Sequence, residues 1–411
     1  MSCEFLENLS LASLVAPTSV EEFRSLFWER QPLIIHRKNP HYYHNLFTLS
    51  DFDTAVRRSP EYVKTANAAK AKNAKFSAAM TQGREAILAQ MREGGTLILD
   101  HIHHQDEKLG LLCRVMAAET GYRYQTNLYL TPANGRGFSA HWDNHDVFIL
   151  QVVGSKDWKI EKDRRVFPAK MEAMSDEGRE LRGDVHSFRL EQGDLIYIPR
   201  GFVHAAECGA EPSLHITLGV TGMFWEDLMG AAVRAAVLQD EQLRAYLPLG
   251  FNSSPAEALV SRMKGIFRQM ADEGFLQGVV DQYLDELVPQ HDMEISGQIL
   301  DHFQPKPLAL ADRVGARRGA VLRIHAAEDT VRVNYGARTI TFAAFFREAL
   351  DYALHQPEFV ISDIPGELQD EEKLVFVERL LEEGLLVRKT SGQGGKITRI
   401  PSRRSPVAAG R

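Results

Sequence analysis

His141 and Asp143 stand two residues apart in the stretch "FSAHWDNHDVFILQVVGSKDWKIE", which begins at Phe138. Two residues is the repeat of an extended strand, so both side chains can face one way while Trp142 faces the other. Such a pair offers one ion two different donor atoms. A third donor must come from a distant strand brought alongside, and "GDLIYIPRGFVHAAE" supplies one in a specific frame. Gly193 is followed by five residues, Pro199, one residue, Gly201, two residues and His204. A tight Gly-Asp turn, an apolar strand and a Pro-Arg-Gly turn would direct His204 inward. Two imidazoles and one carboxylate on one face of a metal leave several positions open, as non-haem Fe(II) oxygenases require. Zinc normally prefers a closed tetrahedron or a single open position. Alone, His141 reads as a solvated turn histidine and Asp143 as a turn-capping carboxylate; the frame that ends at His204 is what joins them.

That frame matches the second motif of cupin barrels, and a rival copy of the first motif exists. In "GTLILDHIHHQDE", Gly95 is followed by five residues, His101, Ile102, His103, three residues and Glu107. The sequence after Glu107 is helix-like, which would take that carboxylate off the barrel. His101, His103 and His104 therefore read as a polar strand-to-helix turn.

An Fe(II) centre that activates O2 needs two electrons beyond those taken from its substrate, and 2-oxoglutarate supplies them when its keto-acid end binds the metal. Its far carboxylate then needs a cation. Lys156 lies fifteen residues after His141, past one apolar strand and the Gly154-Ser155 turn, at the start of the neighbouring strand. An ammonium inside a barrel is costly unless an anion pairs with it. Without the three metal donors, Lys156 would read as an exposed hairpin lysine.

The elements that must position these groups are legible as a change of texture. Between Tyr122 and Trp225, short runs rich in Tyr, Val, Ile and Phe are punctuated by Gly, Pro, Asn and Asp, as antiparallel strands and turns are. "YQTNLYLT", "DVFILQVVG", "DWKIEK", "HSFRL", "DLIYIP" and "LHITLGV" are the strands expected. In the last of these, Ser213, His215 and Thr217 share one face, and Thr217 could donate a hydroxyl to 2-oxoglutarate. Upstream, "PLIIHR" reads as a short strand, Ser50 or Asp51 as a helix cap, and "GGTLILD" as a strand leading into a helix that ends at Gly121.

The chain of 411 residues is long enough for two or three domains, and its formal charge of −7 provides no global basic field for nucleic acid or anionic lipid. Three scattered cysteines argue against a disulfide framework. No run approaches bilayer length and Glu4 and Glu7 stand where a secretory signal needs cations, so the expected location is cytoplasmic.

With these residues in view, the chain resembles the JmjC-type ribosomal oxygenases, a family of Fe(II)- and 2-oxoglutarate-dependent protein hydroxylases. The likeness rests on "FWERQPLIIHR", "YYHNLF", "HWDNHDVFILQVVGSKDWKI" and the Gly193 to His204 frame, and it extends over nearly the whole chain. It implies an α+β chain: a double-stranded β-helix, the jelly-roll or cupin-like JmjC barrel, with flanking helices over 1–225. A helical module of dimerisation type would follow at 226–303, a winged-helix-like domain at 304–390 and a flexible basic tail at 391–411. By matching position it implies His141, Asp143 and His204 as metal ligands, Lys156 as the carboxylate anchor, Asn127 beside the co-substrate and Tyr129 facing a peptide substrate. Where some members have a serine, this chain has Gly219, which puts the hydroxyl's position in question.

The implied activity is hydroxylation of an arginine or histidine side chain in a ribosomal protein, with Fe(II), 2-oxoglutarate and O2, by a homodimer. Ranked below it are lysine demethylation, the same chemistry on a small molecule or biosynthetic peptide, and a non-enzymatic cupin-like binding or regulatory module. Direct nucleic-acid binding is disfavoured. The expected recognition helix carries Asp370, Glu371, Glu372, Glu378, Glu382 and Glu383 against Lys373 and Arg379, and would repel phosphate. Leu374, Val377, Leu381 and Leu385 read as the face packing it into its own domain.

Overall fold

A computed structural model of the chain describes residues 5–59, 62–67, 79–80, 83–170, 172, 180–253, 256–291, 293–303 and 306–389. Cys3 and the tail expected at 391–411 lie outside them.

Eleven strands build the part of the molecule that holds the site: β1 (Leu33–Ile35), β2 (Val63–Ala66), β3 (Ala79–Met80), β4 (Thr96–Leu99), β5 (Arg123–Thr131), β6 (Val147–Gly154), β7 (Lys156–Glu161), β8 (Val185–Leu190), β9 (Leu195–Ile198), β10 (His204–Glu207) and β11 (Ser213–Thr221). They form two sheets, one ordered β1-β9-β6-β11-β5-β4-β2-β3 and the other β10-β7-β8. Every pairing among them is antiparallel. This is the jelly-roll arrangement that the family resemblance implies, and each of the six runs named above falls on one of its strands.

Alternation along each strand divides the sheet into two faces. On β6, Phe148, Leu150 and Val152 join an outer core, whereas Val147 and Ile149 pack inward with Trp158, Ile160, Ile196 and Phe202. On β11, Leu214, Ile216, Leu218 and Val220 take the outer side. Ser213, His215, Thr217 and Gly219 therefore share the inner one. The outer core is closed by Leu14, Phe23, Phe47 and Phe52 from the N-terminal layer and by Leu109, Leu112 and Met116 of the helix Glu107–Thr120. That helix starts on Asp106, whose side chain accepts from the Leu109 amide at 2.9 Å, and stops at Gly121, whose φ of +77° suits only a residue without Cβ.

Three local features differ from the sequence reading. The helix Leu49–Arg58 is capped by Thr48 instead of Ser50 or Asp51; the Thr48 hydroxyl accepts from the Asp51 amide and the Asp51 carboxylate accepts from the Thr48 amide. This reciprocal box needs a hydroxyl and an acid three residues apart, which places the start one turn earlier. β10 was missed because His-Ala-Ala-Glu has little strand propensity; pairing with β7 creates it. β2 and β3 were missed because Val-Lys-Thr-Ala and Ala-Met lack the apolar run that marks β1 and β9.

The chain divides into two compact units, Met1–Met293 with Arg318–His325 and Arg332–Ile340, and Glu294–Arg317 with Ala326–Val331 and Thr341–Arg411. The first includes the helices Trp225–Gln239, Ala256–Met270 and Glu273–Leu287. In the second, the strand Arg313–Ala316 lies between Phe359–Val360 and Leu386–Arg388, with helices Arg347–His355 and Asp370–Glu382 alongside. The latter helix buries Phe376, Val377 and Leu380, while Leu374 and Leu381 are half-buried. Val377 and Leu385 of the expected face are thus buried, and beside them Phe376, which the expected face did not include, stacks on Phe346 at 5.4 Å. Among the described residues no helix is long and apolar enough to cross a membrane.

Candidate metal and co-substrate site

His141 lies just before β6 and meets the first residue of β10 across a single antiparallel bridge. The His141 amide donates to the His204 carbonyl at 3.0 Å and the His204 amide returns a bond to His141 at 2.8 Å. This exchange holds the two Cα atoms opposite each other, and the imidazole centroids lie 4.4 Å apart. Trp142 turns away into a small core with Ala140, Val203 and Ala205. Asp143 is fixed through its carbonyl, which accepts from Gly201 at 3.0 Å. Gly201 has a φ of +82°, and a Cβ there would fall 1.8 Å from the Val166 carbonyl oxygen, so the Pro-Arg-Gly turn has no room for a side chain.

The loop after Asp143 and the turn before His204 are also tied by charge, a link that the sequence reading missed. Asp146 accepts from the Arg200 amide at 3.1 Å and pairs with its guanidinium at 3.3 Å; Tyr197 donates to the same carboxylate, and Arg200 also pairs with Glu29. Asp146 and Arg200 are buried, and burial raises the carboxyl pKa, so the pair and the phenol are what keep this carboxylate in place.

One ligand atom from each of His141, Asp143 and His204 lies within 4.8 Å of the others. Nε2 of His141 is 3.9 Å from one Asp143 oxygen and Nε2 of His204 is 3.7 Å from the other. Each Nδ1 is already committed, to Ser139 O at 2.9 Å and to Phe202 O at 3.0 Å. The carbonyls require a proton on Nδ1, which leaves the Nε2 lone pairs facing the carboxylate, as an imidazole ligand needs. Burial and the neighbouring His141 push His204 down to about 4, so it stays neutral and able to ligate. Burial works against ionisation of Asp143, and positive charge on His141, His204 or His145, present whenever those rings are protonated, outweighs it and lowers its pKa. The donor set fits a divalent metal bound by two nitrogens and a carboxylate with open positions.

These groups line a cavity of about 360 Å³ together with Asn127, Tyr129, Lys156, Trp158, His215 and Thr217. Lys156 is 5 % exposed, and its ammonium donates to the Thr131 hydroxyl at 3.1 Å. Among the described residues no carboxylate pairs with it. Burial accordingly pushes it down to about 8. A buried ammonium on a ligand cavity, held by one neutral hydroxyl, fits an anionic ligand group. Asn127 and Tyr129 share the inner face of β5 opposite Thr217 and His215 of β11. The Asn127 side chain accepts from the His101 amide at 2.9 Å, and Tyr129 stacks on His215 at 4.9 Å.

His145 also lines the cavity and had been passed over, although it is the second histidine of "HWDNH". A Cβ added to Gly219 would meet its ring at 3.1 Å, so the imidazole uses space that a side chain at 219 would need. The rival motif does not join the site. His101 takes a left-handed turn, Ile102–His104 is a single 3₁₀ turn, and Glu107 opens a helix.

A JmjC domain model matches residues 98–228. The chain is 32% identical over 253 residues to the bifunctional lysine-specific demethylase and histidyl-hydroxylase NO66 of Caenorhabditis briggsae, covering 58% of this chain and 32% of that protein. It is 31% identical over 252 residues to human ribosomal oxygenase 1, with 58% of this chain and 39% of that protein covered. The alignment with Aedes aegypti NO66 is longer, 28% identical over 434 residues, covering 92% of this chain and 67% of that protein. The chain thus spans between about a third and two thirds of the length of these relatives. Among solved structures, Escherichia coli ribosomal oxygenase YcfD superposes with a TM-score of 0.55 at 14% identity, covering 90% of this chain and 98% of that one. A complex of YcfD with cobalt and 2-oxoglutarate gives 0.54 at 16%, with 90% and 98% covered. Residues 98–228 are therefore similar to a JmjC domain, and the fold is one that the chain shares with YcfD.

Proposed function

We propose that the protein is an Fe(II)- and 2-oxoglutarate-dependent oxygenase that hydroxylates a protein side chain, with a ribosomal protein as substrate. The observation that carries this reading is the meeting of His141, Asp143 and His204 on one cavity with a buried Lys156 that, among the described residues, pairs with no carboxylate. In this role His141, Asp143 and His204 hold the metal, which when bound supplies oxygen activation coupled to decarboxylation of 2-oxoglutarate. Lys156 neutralises the far carboxylate of the co-substrate. Asn127 and Thr217 line its flank, and Tyr129 faces the incoming side chain. The apolar walls, Val147, Ile149 and Trp158, exclude water around the reacting carbon. Which atom is hydroxylated depends on which C–H these walls hold nearest the metal.

The names of the relatives support a protein substrate: two are ribosomal oxygenase and histidyl-hydroxylase. Lysine demethylation is the second reading, favoured by the other half of the NO66 name. Within the protein, we assign 1–225 to catalysis and 226–303 to self-association, since Trp225, Met229, Val233, Val260, Met263 and Phe267 expose large apolar side chains at helical spacing. Residues 304–390 are read as a winged-helix-like, protein-contacting domain and 391–411 as a basic tail.

The test is direct. Purified protein with Fe(II), 2-oxoglutarate and a ribosomal-protein mixture should release succinate and add one oxygen atom to a single peptide, read by mass spectrometry; Asp143→Ala should do neither. Succinate release that a free amino acid stimulates and ribosomal proteins do not would overturn the substrate assignment.

A further inference from the structure

A second cavity, of about 370 Å³, lies at the start of β5 and takes no part in the proposed reaction. Its walls carry two guanidiniums, Arg114 and Arg123, and four imidazoles, His101, His103, His104 and His291. Among the described residues no carboxylate lines it, in a chain whose acids outnumber its lysines and arginines, 55 to 48. The local charge thus runs against the charge of the whole, which marks a place for an anion.

The backbone around the cavity sets these groups in place. On the helix Glu107–Thr120, Arg114 fits between two glycines: a Cβ on Gly110 would fall 3.1 Å from its Nη1, and one on Gly319 would fall 2.7 Å from its Cβ. Arg123 opens β5 opposite Thr221 and is exposed, and among the described residues no carboxylate pairs with it. The His103 ring accepts from the Thr126 amide through Nδ1 at 3.2 Å, so its proton sits on Nε2, as a donor. Guanidiniums and a donating imidazole suit an oxyanion and reject a cation.

This cavity adjoins the catalytic one. Arg123, Gln125 and Asn127 follow one another on the inner face of β5, paired with Thr221, Gly219 and Thr217 of β11. Asn127 and Thr217 line the catalytic cavity, whereas Arg123, Gln125 and Thr221 line this one. The boundary falls at Gly219, where a Cβ would meet the His145 ring of the catalytic cavity at 3.1 Å and the Gln125 Cγ at 3.4 Å. From Asn127 to Arg123 is about 14 Å of strand, which an extended peptide crosses in about four residues. A free anion would fill one cavity; a chain can fill both.

We infer that the cavity of Arg114 and Arg123 is a second substrate subsite, which receives an aspartate or glutamate side chain about three to five residues from the side chain that is hydroxylated. The inference rests on the protein-hydroxylase reading above and adds a selection rule to it. A carboxylate anchored here gains charge-assisted hydrogen bonds far from the reacting carbon, and it fixes the register in which the peptide crosses the metal site.

The test offers two peptide libraries, one with a central arginine and one with a central histidine and both with varied flanks, to the full-length protein with Fe(II) and 2-oxoglutarate. Hydroxylated peptides are sequenced by mass spectrometry. The wild type should favour Asp or Glu over Ala about 3- to 10-fold in kcat/KM at one position about four residues from the modified one. Arg123→Gln should reduce that preference to less than about twofold and leave turnover of the alanine peptides unchanged. Arg123→Glu should turn it into a preference for Lys, an exchange that loss of folding cannot produce. Hydroxylation without an acidic preference, or a preference that survives both substitutions, would overturn the subsite and leave the hydroxylase reading standing. No acidic preference, together with single-stranded RNA binding that Arg123→Glu abolishes, would overturn it in favour of phosphate groups as the occupant. Hydroxylation of no peptide in either library would sink both readings.

Discussion

His101, His103 and His104 occupy one local turn, with the rings of His103 and His104 only 4.0 Å apart and packed on each other. His141 and His204 lie far apart in the chain, yet a two-bond bridge holds their backbones face to face and carbonyls fix both Nδ1 atoms. Both groups offer several imidazoles in a small volume. Among the described residues, it is the second that brings two imidazoles and a carboxylate to within 4.8 Å of one another. What makes histidines a metal site here is long-range backbone pairing that orients their edges; local density gives stacked rings and a polar turn.

The sharpest way to break this contrast is to remove one donor from each group. Asp143→Ala should lower affinity for Co(II), followed by its visible absorption, by on the order of 100-fold or more, and should abolish 2-oxoglutarate turnover. His103→Ala should leave metal affinity within about threefold. Comparable losses from both variants would mean that the turn histidines also hold the ion.

Lys156 extends the contrast to the other end of the cavity. Lys156→Ala should raise the KM for 2-oxoglutarate about 10- to 100-fold, with a smaller effect on kcat at saturation. The pH dependence has a definite sign. The ammonium must be charged to hold a carboxylate, and burial sets its free-state pKa at about 8, so affinity should be level below that pH and fall as pH rises through it. Isothermal titration between pH 6.5 and 9.5 checks this. Affinity that rises across the range would remove Lys156 as the anchor.

How much of this was legible beforehand depends on which physical term decides each feature. His141, Asp143, His204 and Lys156 could be read because strand alternation and a turn of fixed composition leave a local trace. The partners that hold them are non-local. Nothing in "PRG" announces that Arg200 pairs with Asp146, nor in "LHITLGV" that a register shift turns His215 onto Tyr129. Gly219 was visible as a departure, but its meaning required His145 at its side. Around the helix Asp370–Glu382, apolar spacing was enough to mark Val377 and Leu385 as buried, but not Phe376, whose stacking partner Phe346 lies elsewhere in the chain.

Two glycines compare the backbone of the site with that of the helix beside the turn histidines. Gly201→Ala places a methyl 1.8 Å from the Val166 carbonyl at a left-handed φ, and something must move. We expect a loss of about 3 kcal/mol or more, with metal affinity falling too, since the turn aims His204. Gly121→Ala has the same sign of φ, at +77°, but meets nothing within 4 Å, so strain alone applies and the loss should be about 1 kcal/mol. Urea unfolding of the two variants at equal pH separates the cases.

The smallest effect tests whether the histidine turn matters to the site at all. Asp106 caps the helix that follows His101–His104, and Asp106→Ala removes one bond to the Leu109 amide. Such caps are worth about 0.5–2 kcal/mol, so the midpoint of unfolding should shift measurably. The turn meets the cavity where the His101 amide donates to Asn127, which lines it. If fraying of the helix start reaches that bond, 2-oxoglutarate affinity should drop by a factor of about two or three while Co(II) affinity stays unchanged, because Asn127 is not a metal donor. A loss of Co(II) affinity equal to that of 2-oxoglutarate would mean that the turn supports the metal end of the cavity as well, and the separation between the two histidine groups would no longer hold.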